Sequence, residues 1–171
     1  MTGDIIRTSD NSKAHRLMNH WMVGKVLYSF TLTKAGFSLN FIYDQSGPQV
    51  DVRVGILNPT SRFGSEAFWS SSLESLRAAG CDTQTERSLF AYMTHLAVFE
   101  KVVGVTALPG GSLALALSGR TITVPTYYEA TTKDAWRVAC MWNDVCLGRV
   151  TGEPGGFKIE LTTPPEIDVD E

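Results

Sequence analysis

Two stretches of the chain share one pattern and decide the fold: VLYSFTLTKAGFSLNF at residues 26–41 and VVGVTALPGGSLALAL at residues 102–117. In both, apolar residues alternate with small or polar ones on either side of a short connection. This two-residue period is typical of a strand that buries one face. At a constant offset of 76, Val26 aligns with Val102. Each stretch therefore predicts a pair of antiparallel strands.

The agreement continues beyond the two hairpins. In both stretches a Ser-Gly turn leads into a third alternating run, at residues 50–54 and at residues 121–124. Leu39 and Leu115 align on the middle strand of each unit and are expected core residues. Agreement of register, turn and third strand predicts an internal duplication. Units of this size bury a sheet face only by packing on each other.

Helical patterns precede and separate the two sheet units. Asp10 is a predicted N-cap, and the apolar residues that follow it share one helix face: Ala14, Leu17, Met18 and Trp21. Thr83 and Glu86 have the spacing of a capping box, followed by a second apolar face: Leu89, Tyr92, Met93 and Leu96. Between the units, a short helix is expected to open at Ser71 and to close at Gly80.

These patterns predict an α+β fold that is mainly antiparallel sheet, built from two similar α-β-β-β half-units plus a C-terminal hairpin. We expect one domain over residues 1–163, with half-units at about 10–80 and 81–163. The hairpin is expected around Asn143-Asp144, a favoured turn pair. Residues 164–171 begin with two prolines and read as an acidic, disordered tail.

Composition excludes several classes of protein. Apolar residues make up 43% of the 171 residues and charged residues 19%, which excludes a disordered chain, and three cysteines do not make a disulfide framework. The net charge of −3 argues against nucleic-acid binding. The N-terminus lacks an apolar signal segment, and Pro109 interrupts the longest uncharged run. We therefore expect a cytoplasmic protein with neither a membrane nor a nucleic-acid partner.

The residues that most often carry chemistry do not form a recognised motif. His15 and His20 are five positions apart, and His95 borders an apolar helix face, so no metal-ligand spacing occurs. Cys140 and Cys146 lie in the predicted hairpin as small apolar residues. The glycine-rich pieces contain proline and lead into strands, which indicates turns and not phosphate loops. We therefore expect no enzyme activity, no cofactor and no metal.

Aromatic residues on expected loops are the candidate partner-binding residues. Phe63, Phe68 and Trp69 lie in RFGSEAFWSSS, and Tyr127 and Tyr128 lie in the corresponding segment of the second half. Exposed aromatic side chains bring a large contact area at low entropic cost. The alternative is that these side chains fold back and close the open ends of the sheets.

Acidic residues of the tail are the second candidate for partner binding. Asp168 and Asp170 belong to a group of four acids in the last eight residues, and residues 1–163 carry a charge of about +1 without them. Such an arm can solubilise the protein, or it can speed the capture of a basic partner by electrostatic steering.

The pattern GKV…F.L….G.SL.F…..V.V, followed by an acidic or aromatic loop, covers residues 24–54 and 101–136. It resembles small bacterial immunity proteins of polymorphic-toxin systems. That resemblance implies a single-domain cytoplasmic protein that binds and blocks a cognate toxin domain, and it transfers no catalytic residue. Two alternatives stay open: a secretion chaperone or adaptor for a secreted effector, and a small-molecule-binding domain that uses the cleft between the half-units.

Overall fold

The structure, a computed structural model, describes residues 4–33, 36–42, 50–56, 61–81, 85–125, 136–142 and 145–162. Within these residues three helices form: α1 (Asn11–Met22), α2 (Glu66–Ala78) and α3 (Thr85–Leu96). The strands are β1 (Asp4–Thr8), β2 (Val26–Thr33), β3 (Gly36–Ile42), β4 (Val50–Ile56), β5 (Arg62–Phe63), β6 (Val102–Ala107), β7 (Leu113–Leu117), β8 (Thr121–Val124), β9 (Trp136–Trp142), β10 (Val145–Glu153) and β11 (Gly156–Leu161).

The strands form two antiparallel sheets. The larger has the order β1-β11-β10-β9-β4-β3-β2 and the smaller the order β5-β8-β7-β6. The predicted α+β class is confirmed. The two strands of the predicted C-terminal hairpin are also present, since Trp142 pairs with Val145. β1 was not expected from the polar N-terminal sequence, and it pairs with β11 along its whole length.

The two half-units correspond strand for strand and exchange elements with each other. β2, β3 and β4 form one meander, and β6, β7 and β8 form the other. The fourth strand beside each meander comes from the other half, because β9 pairs with β4 and β5 pairs with β8. The helices are exchanged as well: α1 packs on β6, and α3 packs on β2. The expected duplication is therefore present in the geometry, in an interlocked form.

The expected equivalence of Val26 and Val102 in the two half-units is wrong by one residue. Val102 is buried and its geometric counterpart is the buried Leu27, at an offset of 75, whereas Leu39 and Leu115 keep the offset of 76. Leu32 pairs with Phe37 across four residues, but Ala107 pairs with Leu113 across five. The longer connection, a 3₁₀ turn at Pro109–Gly111, shifts the alignment.

The first helix forms as its sequence predicts. The Asp10 carboxylate accepts a hydrogen bond from the Ser12 N–H at 2.8 Å, which lowers the pKa of Asp10 and caps the helix. Because the pKa of Asp10 is lowered, this hydrogen bond stabilises the folded state fully at pH values above the ordinary pKa of aspartate. The contribution is lost as the pH falls through the lowered value. The residues that α1 buries are Ala14, Leu17, Met18 and Met22.

The other two helices differ from their expected faces or bounds. α2 begins five residues before Ser71, because Ser65 caps it by accepting a hydrogen bond from the Phe68 N–H. It ends as expected before Gly80, whose φ is +86°. α3 is rotated so that Tyr92 and Leu96 are exposed. The helix buries Leu89, Phe90 and Thr94 instead, and Ala97, which follows the helix, is also buried.

One cluster of buried residues joins both sheets and all three helices. Phe90 lies at its aromatic centre, with ring centroids 4.6 Å from Phe37 and 5.0 Å from Phe63. These contacts explain the rotation of α3, because they place Phe90 and not Tyr92 inward. Among the described residues, no helix has the length and apolar character needed to cross a membrane.

Candidate functional site

The two sheets meet where the first strands of the half-units begin. The Leu27 N–H donates to the Glu100 carbonyl at 3.0 Å, and the Val102 N–H donates to the Lys25 carbonyl at 2.8 Å. At the offset of 75, Leu27 corresponds to Val102 and Lys25 corresponds to Glu100. Each hydrogen bond is thus the counterpart of the other, and the junction has approximate two-fold symmetry.

The same symmetry relates two bulges, at Gly24 and at Phe99, which lie beside these hydrogen bonds. The Gly24 N–H donates to the Val102 carbonyl at 2.9 Å, and its counterpart, the Phe99 N–H, donates to the Leu27 carbonyl at 2.7 Å. Both donors have left-handed backbone, with φ of +89° at Gly24 and +73° at Phe99. A bulge of this kind favours glycine, which has no Cβ to clash. Phe99 is the one non-glycine residue with positive φ in the described part of the chain.

The conformation of Phe99 is enforced from its C-terminal side. The Glu100 N–H donates to the Ala97 carbonyl at 2.9 Å. The Glu100 carboxylate accepts hydrogen bonds from Arg120 Nε at 2.6 Å and from the Gly119 N–H at 3.0 Å. Glu100 is therefore tied to the β7–β8 turn, and the backbone beside it is held in the strained region.

Exposed apolar side chains surround this junction. Phe99 is 76% exposed, Tyr28 57% and Val103 58%, and Val23 is also exposed. Tyr28 and Val103 are counterparts, since each is the extra residue of a bulge in its own hairpin. The backbone of Phe99 is hydrogen-bonded to Leu27, the residue before Tyr28, and that of Gly24 to Val102, the residue before Val103. We call these four residues, Val23, Tyr28, Phe99 and Val103, the junction surface.

A second apolar surface lies between α2 and α3, at the boundary of the half-units. It is an open groove of about 870 Å³. Phe68 and Tyr92 are its aromatic lining residues, and Leu76, Leu89 and Met93 also line it. The hydroxyls of Ser72 and Ser75 also line it, but they donate to helix carbonyls, so the groove offers mainly apolar contact.

Only one of the expected aromatic anchors is an exposed residue in the described part of the chain. Phe68 is 48% exposed and lines the groove. The expectation of exposure is wrong for Phe63 and Trp69, which are 0% and 6% exposed. The early start of α2 turns Trp69 toward Phe90, and pairing of β5 with β8 buries Phe63. The remaining candidates lie outside the described residues: Tyr127, Tyr128, Asp168 and Asp170.

The residues of the junction surface were not identified from the sequence. At the offset of 76, Val103 aligns with Leu27, and Phe99 aligns with Val23. An alignment that allowed for the longer β6–β7 connection would have placed Phe99 against Gly24 and Val103 against Tyr28. A phenylalanine at a position that needs left-handed backbone is the signal that such an alignment reveals.

Among the described residues, none of the histidines lines the α2–α3 groove, and one cysteine does. His20 and His95 are exposed, and Cys140 is buried in β9. Cys81 is exposed and lines the groove. In the described ranges, no three His, Cys, Asp or Glu residues are grouped so that they could hold a metal ion.

Similarity to known proteins gives no independent indication of what the two surfaces bind. The junction surface and the α2–α3 groove are therefore judged on their own residues, contacts and exposure. No protein-family model, no curated protein and no solved structure matches this chain.

Proposed function

We propose that this chain is a non-catalytic binding protein of the immunity type, which neutralises a bacterial toxin domain by binding it through the junction surface. The observation that carries the proposal is Phe99. An ordinary residue in left-handed backbone costs about 1–2 kcal/mol, and its counterpart Gly24 avoids that cost. The side chain that brings the strain is 76% exposed and adds little to the core. Strain kept without a benefit to folding is typical of a functional position.

The shape of the surface favours a protein partner. Phe99 lies in the turn before Lys101, and Val103 lies on β6 after it. Small ligands are usually held in concave sites, whereas an aromatic residue on an open strand junction is typical of a protein interface. The resemblance to immunity proteins supplies the kind of partner, a toxin domain that is active in the same cell.

Phe99→Gly separates binding from stability. Glycine relieves the left-handed strain but adds chain entropy to the unfolded state, so we expect the free energy of unfolding to rise by about 1 kcal/mol. Removal of the aromatic anchor should weaken partner binding about 30-fold or more. Urea unfolding measures the first effect, and calorimetry with the product of the neighbouring gene measures the second.

A second exposed aromatic residue provides the control variant, and growth of cells that produce the toxin provides a second measurement. Trp142→Ala removes a half-exposed aromatic side chain from β9, which β4 and β3 separate from β2, and should leave affinity unchanged. Co-expression of the chain should restore growth to cells that produce the toxin, and Phe99→Gly should lose that protection while staying folded. A neighbouring product that is not toxic, or protection by Phe99→Gly equal to the wild type, would contradict the proposal.

The groove between α2 and α3 favours a second candidate function, that of a secretion chaperone or adaptor that holds an apolar segment of a secreted protein. The groove has an apolar lining and lies where the half-units meet. Phe68→Ser should lower affinity about tenfold or more if the segment binds there, and Phe99→Gly should not. The opposite ranking of these two variants, measured against one partner, rejects this candidate and supports the immunity function.

A further inference from the structure

The edge strands of the two sheets are protected to different degrees. β1 and β2 are the edges of the larger sheet, and β5 and β6 are those of the smaller. β1 carries Asp4 and Arg7, and the two-residue β5 carries Arg62. Charged side chains and very short strands are common ways to prevent unwanted pairing at an edge. β2 is eight residues long and contains neither a charged residue nor a proline.

The edge of β6 is closed by side chains of α1. The Asn19 amide nitrogen donates to the Val105 carbonyl, and the Val105 N–H donates to the Asn19 amide oxygen at 3.0 Å. Asn11 donates to the Ala107 carbonyl at 3.0 Å. α1 therefore satisfies both outward groups of Val105 and the carbonyl of Ala107 in place of another strand.

The corresponding edge of β2 is open to hydrogen bonding in the described part of the chain, although α3 packs on this strand. Phe30 and Leu32 are the counterparts of Val105 and Ala107, and their N–H and C=O groups likewise point away from β3. In α3 the counterpart of Asn19 is Thr94, whose hydroxyl donates to the carbonyl of Phe90 in its own helix. Among the described residues, no hydrogen bond closes the β2 edge at these two positions.

The open segment is complementary to a second copy of itself. Residues 29–33 read Ser-Phe-Thr-Leu-Thr, a polar–apolar alternation that is symmetric about Thr31. An antiparallel pair centred on Thr31 places Phe30 opposite Leu32 of the copy, with both hydrogen-bonded through their outward groups. It also places Thr31 opposite Thr31 of the copy, a favourable cross-strand pair. Because β2 carries no charge, its own copy meets no like-charge repulsion.

We propose that two copies of this chain associate through the open edge of β2, in antiparallel register about Thr31, so that their larger sheets become continuous. Such an interface is isologous and closed, which limits assembly to a dimer. It uses the β2 counterparts of the backbone groups that α1 covers on β6.

A cysteine at the two-fold centre tests the register directly. Thr31→Cys places two thiols in a non-hydrogen-bonded pair, whose Cα separation of about 4.5 Å lies within the range of disulfides. Thr106→Cys is the matched control, because Thr106 is the exposed counterpart of Thr31 on the closed edge. Both variants carry Cys81→Ser, which removes the exposed native thiol. We expect disulfide-linked dimer as the main species of Thr31→Cys under mild oxidation, and monomer for Thr106→Cys.

A charge at the same position tests association without oxidation. Thr31→Lys should raise the dimer dissociation constant about tenfold or more, because it sets two like charges opposite each other, and Thr106→Lys should not change it. Sedimentation of the full chain and both variants measures the constants, and circular dichroism checks that each variant is folded. A monomeric wild-type chain, or equal cross-linking of Thr31→Cys and Thr106→Cys, overturns the proposal.

Discussion

Gly111→Ala is expected to lower the free energy of unfolding by about 3–5 kcal/mol, among the larger effects of a single substitution. Gly111 has a φ of +89°, which an L side chain rarely adopts. A Cβ on Gly111 would also meet the carbonyl oxygen of Glu153 and lie 2.7 Å from that of Gly156. Both obstacles are backbone atoms of the β10–β11 hairpin, so they can yield only if the hairpin moves.

The neighbouring glycine is the control for this experiment. Gly110 has a similar φ of +80°, but nothing lies within 4 Å of a Cβ placed on it. Gly110→Ala should therefore cost only the backbone strain, about 1–2 kcal/mol. Chemical denaturation of both variants measures the difference. Equal losses would mean that the β6–β7 turn does not pack under the hairpin as described.

Trp136 explains why the turn has to approach so closely. Its indole nitrogen donates to the Gly111 carbonyl at 2.8 Å, and the side chain is fully buried. A Cβ on Gly152 would meet the same indole ring and the Gly111 carbonyl. The two glycines leave space for the indole between the turn and β10.

Leu39→Ala and Leu115→Ala are each expected to cost about 2–5 kcal/mol. Both residues are essentially unexposed and lie on the middle strand of a three-stranded meander, Leu39 opposite Val54 and Leu115 opposite Ile122. Alanine removes three buried carbon atoms and leaves a cavity at the same place in each half-unit.

The expected similarity of the two losses tests the duplication. Leu96→Ala is a suitable control, because Leu96 is partly exposed on α3 and its truncation should cost less than about 1 kcal/mol. Guanidinium unfolding of the three variants gives the comparison. A loss below 1 kcal/mol at either Leu39 or Leu115 would show that the two positions are not equivalent in packing.

The repeated strands were predictable from sequence because alternation is a local property. Leu39 and Leu115 belong to strands whose apolar face is fixed by a period of two, and α1 was predictable from Asp10 and its apolar face. The face of α3 was not, since Tyr92 and Phe90 are both apolar enough to face inward. The ring contacts of Phe90 with residues distant in sequence decide between them.

The candidate site was much harder to predict. Phe68 was identified as an anchor, but the same reasoning included Trp69, one residue further along a helix and therefore on another face. Phe99 gave no local signal, because its left-handed backbone depends on the pairing of its segment with β2 and on the contacts of Glu100 with the β7–β8 turn. A backbone conformation that is imposed by a segment distant in sequence cannot be predicted from the residues next to it.

The exchange of helices between the half-units has a consequence for how the chain is made. Asn19 lies 86 positions before the Val105 backbone that it covers, and β1 pairs with β11 near the other end of the described chain. During synthesis α1 leaves the ribosome long before β6 exists, so the first half-unit cannot complete its packing on its own. Contacts this distant slow folding and lengthen the time for which apolar strands stay exposed. The nascent first half, with the uncharged β2 uncovered, is therefore the form of this protein that most needs protection by chaperones.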